Sequence, residues 1–536
     1  MTFTAKTRPL NMILLAVFIA LLTLAAVISR PLTPIDETRY VSVAWEMWLR
    51  GDFLVPFKNG QPYSDKPPLL LWLYQLGWAA FGVNDWWPRL VSPLSSLACL
   101  FLTGRLAMKL RPDLPEVSIT APWILASSLL WILFSTSAMF DVLLTVWALV
   151  GVLGVWLASK GEGAKGFTFL GLAIGMGVLA KGPVILLHVL PLAVLAPWWA
   201  RGVDWKRWYG GIFFSILMGA AIALAWAVPA GLKGGEAFQH AIFWGQTANR
   251  MVDSFAHRRP FWWYLPLLPV LLYPWFIWPG LWKAVRASIS NGLPQGMKFC
   301  LAWSIPVFIS FSFISGKQIH YLVPLFPAFA LFVAQALASN PQKLGTGRLI
   351  PGALLLILAA AALWFAFKGL PLQSDWPGEI SPWAGSAMVG LFALWIVLSS
   401  RAQWLTGLVS LAFLVVVLLQ VGMIRPLATA YDVTPMAQEI SVLQEQHIPV
   451  AHVGKYHAQY QFAGRLKQPL EVISAPELPD WLNQHPNGRA VVYVSTLKQA
   501  RDLRPDFFQL YRGDVAMLVN RNQALRVDAA HLQSGQ

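Results

Sequence analysis

Residues 10–28 read LNMILLAVFIALLTLAAVI, an apolar run with no charged side chain, behind Lys6 and Arg8 and ahead of Ser29-Arg30-Pro31. Roughly 18 to 22 such residues, coiled as a helix, cross a hydrocarbon core of about 30 Å. The run is long for a signal peptide, and no small-residue cleavage site follows it. It therefore reads as an uncleaved first membrane helix. Similar runs recur at about 10–29, 90–109, 117–134, 138–158, 166–181, 183–199, 209–229, 262–282, 299–315, 321–339, 349–368, 382–400 and 403–424, roughly thirteen in all. Of the 536 residues, 57% are hydrophobic and only 12% charged, against about 25% charged in soluble domains. The 28 tryptophans fit the same reading, since indole rings gather at membrane interfaces. Such a chain excludes a string of soluble domains and predicts one membrane unit, 1–425, with a polar tail, 426–536.

Charge orients the bundle. One set of loops carries Lys6/Arg8, Lys109/Arg111, Lys160/Lys165, Arg201/Lys206/Arg207, Lys283/Arg286/Lys298, Lys343/Arg348 and Arg401, which marks it as cytoplasmic. That rule explains much of the net charge of +15 without nucleic acid; membrane lipids are the expected surroundings. An odd number of crossings leaves the tail outside, in the periplasm of a Gram-negative cell. The outer loops are nevertheless basic in places, at Lys58, Lys66, Arg89, Lys181, Arg250, Arg258, Arg259 and Lys317. Topology does not require these charges, and an anionic ligand at the outer membrane face is the simplest candidate to explain the group. Cys99 and Cys300 both lie in apolar spans, so no disulfide framework is implied.

The first outer loop, 30–89, is the long polar exception. It begins Pro34-Ile-Asp-Glu-Thr-Arg-Tyr40, followed by Val43, Ala44, Met47 and Trp48 at helical spacing. This predicts an amphipathic helix on the bilayer surface. Asp36 and Glu37 sit at its positive end, where Asp36 as a plain N-cap is the ordinary alternative. Farther on is Gly60-Gln-Pro-Tyr-Ser-Asp-Lys-Pro-Pro-Leu69, then an apolar stretch to Phe81 too short to span. The tail alternates helix-like stretches (434–446, 497–503) with strand-like runs (449–453, 490–494, 515–519), which predicts a small α/β domain.

These motifs, Asp-Glu-Thr-Arg-Tyr40, Gly51-Asp-Phe-Leu-Val-Pro56 and Asp65-Lys-Pro-Pro68 before Trp72-Leu73, resemble those of the bacterial aminoarabinose lipid A transferases and the wider protein O-mannosyltransferase superfamily. The likeness extends to Phe140-Asp141, Ala180-Lys181-Gly182, His257 ahead of Pro260-Phe-Trp-Trp-Tyr-Leu265, and Gly316-Lys317 with Tyr321 and Pro324. It implies a GT-C fold: an α-helical polytopic membrane protein of about thirteen transmembrane helices with a small C-terminal α/β periplasmic domain. It also implies an inverting transferase of the inner membrane. The sugar, 4-amino-4-deoxy-L-arabinose or a hexose, would pass from undecaprenyl phosphate to lipid A or another envelope acceptor, a protein or glycan being the alternative. A transporter of polyprenyl-linked sugars is a further reading, but it would favour paired repeats and helices broken at the midplane, and no repeat is visible.

The resemblance makes Asp36 the essential carboxylate, either a general base or a positioning group according to the acceptor, and Asp141 a second active-site acid. Lys66, Lys181, Arg258 and Arg259 are expected at the donor phosphate, where cations stabilise the leaving group. Glu37, Arg39, Tyr40, Tyr63 and Tyr321 are expected around the substrates. Asp65 and His257 fall where some relatives hold a metal, with Asp in place of the usual Glu. No cofactor is required, and any divalent ion there, such as zinc, is expected to be structural, because two ligands do not define a site. His320 and the tail histidines read as ordinary polar residues.

Overall fold

The computed structural model describes residues 8–245, 258–368, 382–399 and 403–524. Among them, ten helices are long and apolar enough to cross a membrane, and a pair, Val117–Ala126 and Leu129–Ser135, is long and apolar enough only when its two helices, bent by 70°, are taken together. The protein is thus a multi-span membrane protein. The two further spans expected from sequence are not single helices. Residues 183–199 hold only the short helices Ile185–Val194 and Ala196–Trp199, and 262–282 is broken into short turns ahead of Pro279–Ser290. Pro191 and Pro197, and then Pro266, Pro269, Pro274 and Pro279, account for this, because each removes a backbone donor from an otherwise apolar run.

The first helix, α1 (Arg8–Ser29), leads into the loop, which folds into α2 (Asp36–Arg50), a short hairpin of β1 (Phe57–Lys58) and β2 (Gln61–Pro62), and α3 (Leu69–Phe81). Val43, Ala44 and Met47 of α2 are buried, and Gly51 ends the helix in the left-handed conformation, as glycine does at little cost. Asn59-Gly60 turns the hairpin with both residues at positive φ, the pairing that suits a tight two-residue turn. After α4 (Trp86–Leu110) and the bent pair, α5 (Val117–Ala126) and α6 (Leu129–Ser135), come α7 (Phe140–Ser159) and α8 (Gly163–Lys181), an antiparallel hairpin turned at Gly161. Small residues set its closeness: a Cβ at Gly154 would lie 2.5 Å from the Gly166 carbonyl oxygen. In lipid, such backbone approach replaces the hydrophobic drive between helices.

The C-terminal domain is a five-stranded sheet ordered β4-β3-β5-β7-β6, from β3 (Val450–Val453), β4 (Glu471–Ile473), β5 (Arg489–Val494), β6 (Phe507–Tyr511) and β7 (Asp514–Val519). β4, β3 and β5 run parallel, while β7 is antiparallel to both β5 and β6. Along β5 the side chains alternate: Val491 and Tyr493 face a core with Met436, Ala437 and Ile440 of the helix Thr434–Glu445. Ala490, Val492 and Val494 face another with Leu478, Trp481 and Leu497. A sheet covered on both faces reads as nearly continuous apolar strands, which is why β3, β5 and β7 are legible and the short, exposed edge strand β4 is not.

This domain is docked on the first loop. Trp45 Nε1 donates to the Leu466 carbonyl at 3.0 Å, the Phe462 amide to Ser42 Oγ at 3.1 Å, and Arg465 pairs with Asp85 at 2.8 Å. Phe462 stacks on Trp78 with centroids 5.3 Å apart. Asn59, at the hairpin tip, exchanges hydrogen bonds with both the amide and the carbonyl of Leu470, each 2.8 Å.

Candidate active site

Neighbouring carboxylates at the start of α2 have different surroundings. Glu37 is 4% exposed. Arg30 reaches both of its oxygens, and it also accepts from the Thr33 hydroxyl, the Thr33 amide at 2.9 Å and the Ala138 amide at 2.6 Å. Burial pushes this carboxyl up, but Arg30 and Thr33 outweigh it and hold it below its ordinary range. Glu37 therefore clamps the end of α1, the start of α2 and the entry to α7. Expected beside substrate, it is placed inside the protein wall. Asp36 instead has a side chain 46% exposed. It accepts from the Arg39 guanidinium and, at 3.2 Å, from the Tyr40 hydroxyl. Tyr40 is buried edge-on against Phe140, centroids 4.7 Å apart, which carries Asp36 to the mouth of α7.

There the α7–α8 hairpin delivers the second carboxylate. Asp141 is in the first turn of α7 and Lys181 is the last residue of α8, forty positions apart with Gly161 midway. Helices of matched length therefore bring them face to face. The Lys181 ammonium pairs with Asp141 Oδ1, and Asp141 is 1% exposed. Its Oδ2 has no hydrogen-bond partner among the described residues. Lys181 Nζ lies 5.0 Å from the centroid of Tyr321, and Lys66 Nζ 5.8 Å from that of Phe140. Lys66 lies within electrostatic reach of Asp141.

His320, which the sequence reading left aside, packs edge-on against Tyr321 at 4.8 Å and lies within electrostatic reach of Asp141, Lys181, Asp36 and Lys66. Its signal was its place beside Tyr321 at the end of an apolar span. Asp36, Lys66, Asp141, Lys181 and Tyr321, widely spaced in sequence, thus meet at one end of the bundle.

The other predicted residues lie around this group. Tyr63 and Asp65 line a cavity of about 360 Å³ between the β1–β2 hairpin and the C-terminal domain. Arg258 pairs with Gly316 in an isolated bridge, and the Arg259 amide donates to the Ser315 carbonyl at 3.2 Å. Both side chains are exposed, with Arg259 Cζ 5.8 Å from the Trp263 centroid. Buried Lys317 stitches these segments together, donating to the Arg259 and Ile314 carbonyls at 3.0 and 2.5 Å. His257 lies outside the described residues, and among those described no group of three or more His, Cys, Asp or Glu side chains is placed to hold a metal.

An apolar helical bundle with a folded first loop and a sheet domain docked on it is the architecture of a GT-C membrane glycosyltransferase. The family model for dolichyl-phosphate-mannose-protein mannosyltransferase matches residues 10–232, which include Asp36, Lys66, Asp141 and Lys181. The undecaprenyl phosphate-alpha-4-amino-4-deoxy-L-arabinose arabinosyl transferase of Edwardsiella ictaluri is 27% identical over 92% of this chain and 94% of its own length. That of an Enterobacter species is 30% identical over 67% of this chain and 66% of its own. Among solved structures, ArnT from Cupriavidus metallidurans bound to undecaprenyl phosphate superposes with a TM-score of 0.74 at 18% identity, over 96% of this chain and 98% of that one. The chain belongs to the GT-C superfamily of aminoarabinose transferases and protein O-mannosyltransferases.

Proposed function

We propose that this protein transfers 4-amino-4-deoxy-L-arabinose from undecaprenyl phosphate to lipid A, at the periplasmic face of the bacterial inner membrane and with inversion at the sugar. The convergence of Asp36, Lys66, Asp141 and Lys181 at the loop end of the bundle carries the reading. The names of the relatives, and the lipid seen in the Cupriavidus structure, support the donor. Contact between the first loop and the C-terminal domain puts both on one face, in keeping with an outer side assigned from loop charges alone.

Each residue then has a task. In the transfer, the bond from the anomeric carbon to the donor phosphate oxygen breaks, and its electron pair leaves with the phosphate. Lys66 and Lys181 neutralise that developing charge, and Arg258 and Arg259 guide the phosphate from the adjoining loop. Asp141 pairs with the Lys181 ammonium and orients it. A lipid A phosphate is already ionised near neutral pH, so its oxygen attacks without a base. Asp36, oriented by Arg39 and Tyr40, then positions the acceptor and stabilises positive charge on the sugar. Mass spectrometry of lipid A from a deletion strain tests the reading. Loss of the aminoarabinose increment, restored by the wild-type gene and not by an Asp36→Asn copy, is expected. Unchanged lipid A with another envelope glycan altered would reassign the acceptor.

A further inference from the structure

The cavity beside the catalytic group is built from two distant parts of the chain. Lys58, Tyr63 and Asp65 come from the first loop, and Tyr456 and Val472 from the C-terminal domain. Its position is fixed by the Asn59 tip, which bonds to Leu470 and accepts from Gln461 Nε2 at 2.9 Å. The surroundings are basic. His457 is buried next to Tyr456. Burial, followed by Arg39, Lys455, Lys58 and Arg512, pushes its imidazole down to about 4, so four cations lie within its electrostatic reach. Arg39 is committed to Asp36, and Arg512 stands near Asp514. Lys58 lines the cavity with Asp65, and Lys455, exposed and next in sequence to the lining residue Tyr456, lies within electrostatic reach of Lys58. Burial, together with Arg39 and Lys455, pulls the Lys58 ammonium below its ordinary range despite Asp65, a crowding that an incoming anion would relieve.

The cavity is also next to the chemistry. Lys58 Nζ is 5.8 Å from the Tyr63 centroid, Tyr63 lies within electrostatic reach of Arg39, and Arg39 holds Asp36. Tyr63 in the cavity wall and Arg39 connect the cavity electrostatically to the carboxylate proposed to position the acceptor. Resting on the transferase reading above, we propose that this cavity is an acceptor subsite for a phosphate monoester, with Lys58 and Lys455 as its cations and the C-terminal domain as its second wall. The domain then has a catalytic purpose: without it the phosphate site has one side. Lipid headgroup phosphate and free phosphate share the required chemistry.

The test uses the full-length protein in nanodiscs with donor saturating, comparing wild type with Lys58→Gln/Lys455→Gln. Lipid A is the acceptor, with both of its phosphates or with one removed, and inorganic phosphate is the competitor. For intact lipid A, the double variant should raise acceptor KM about tenfold per lysine, the effect of one charge-assisted hydrogen bond, with donor KM unchanged. Lys58→Arg/Lys455→Arg should restore most of the affinity. Inorganic phosphate competing against wild type but not against the glutamine variant extends the site to free phosphate; a lysine effect without such competition restricts it to the lipid headgroup. An unaltered acceptor KM, or an equal rise for lipid A with one phosphate removed, would overturn the subsite. Wild-type protein unable to transfer at all would instead sink the transferase reading.

Discussion

Replacing Lys181 by methionine keeps the length of the side chain and deletes its charge, leaving Asp141 1% exposed and without its ammonium partner. A carboxylate so enclosed has two outcomes: it stays charged and unpaired, or it takes a proton. Breaking a buried pair by removing one partner typically costs about 3–5 kcal/mol. Protonating an ordinary aspartate at pH 7 costs about 4 kcal/mol, which caps the loss near that figure. Lys181→Met should therefore lower stability by about 4 kcal/mol, read as thermal unfolding in detergent. Asp141→Asn/Lys181→Met leaves no buried charge and should recover most of it. Activity should separate from stability. The double variant, though folded, should lose about a hundredfold in donor kcat/KM, the scale of one preformed charge contact to a leaving group. A single variant as stable as wild type would refute the buried pair, and a double variant with full donor kcat/KM would remove Lys181 from the leaving group.

Other outcomes follow from the same geometry. Glu37→Gln leaves Arg30 buried without its carboxylate and should destabilise the protein by about 3–5 kcal/mol. Because the folded-state Glu37 lies below its ordinary 4.5, its contribution is complete above about pH 4.5 and is lost as pH falls through the lowered value. A flat wild-type stability profile across that acid window, or an unaffected variant, would contradict the clamp. Gly154→Val puts a side chain where a Cβ already meets the Gly166 carbonyl at 2.5 Å. It should cost about 1–3 kcal/mol and lower donor use by parting Asp141 from Lys181; normal thermal stability and kinetics would show that the hairpin does not set their spacing.

Parts of the site could be read from the chain where a single helix or helical hairpin sets their geometry. Asp36, Arg39 and Tyr40 share one turn of an amphipathic helix, and the Asp141–Lys181 encounter follows from two apolar runs of matched length around Gly161. Apolar periodicity fared worse where proline interrupts it: 183–199 and 262–282 have the hydropathy of a span but not the backbone. Glu37 shows a second limit. Its neighbour Asp36 has the same charge, one helix position away, and the partners of Glu37, namely Arg30, Thr33 and the distant Ala138, decide that one faces inward and the other outward. The Lys58–Tyr456 cavity depends on contacts between segments far apart in sequence, which no local pattern encodes.

The account rests on Asp36, and purified protein in nanodiscs with undecaprenyl phosphate–linked aminoarabinose and lipid A tests it most directly. Asp36→Asn should bind undecaprenyl phosphate as wild type does, yet transfer sugar at a rate lower by at least about a hundredfold. Transfer at the wild-type rate by that variant would contradict the mechanism.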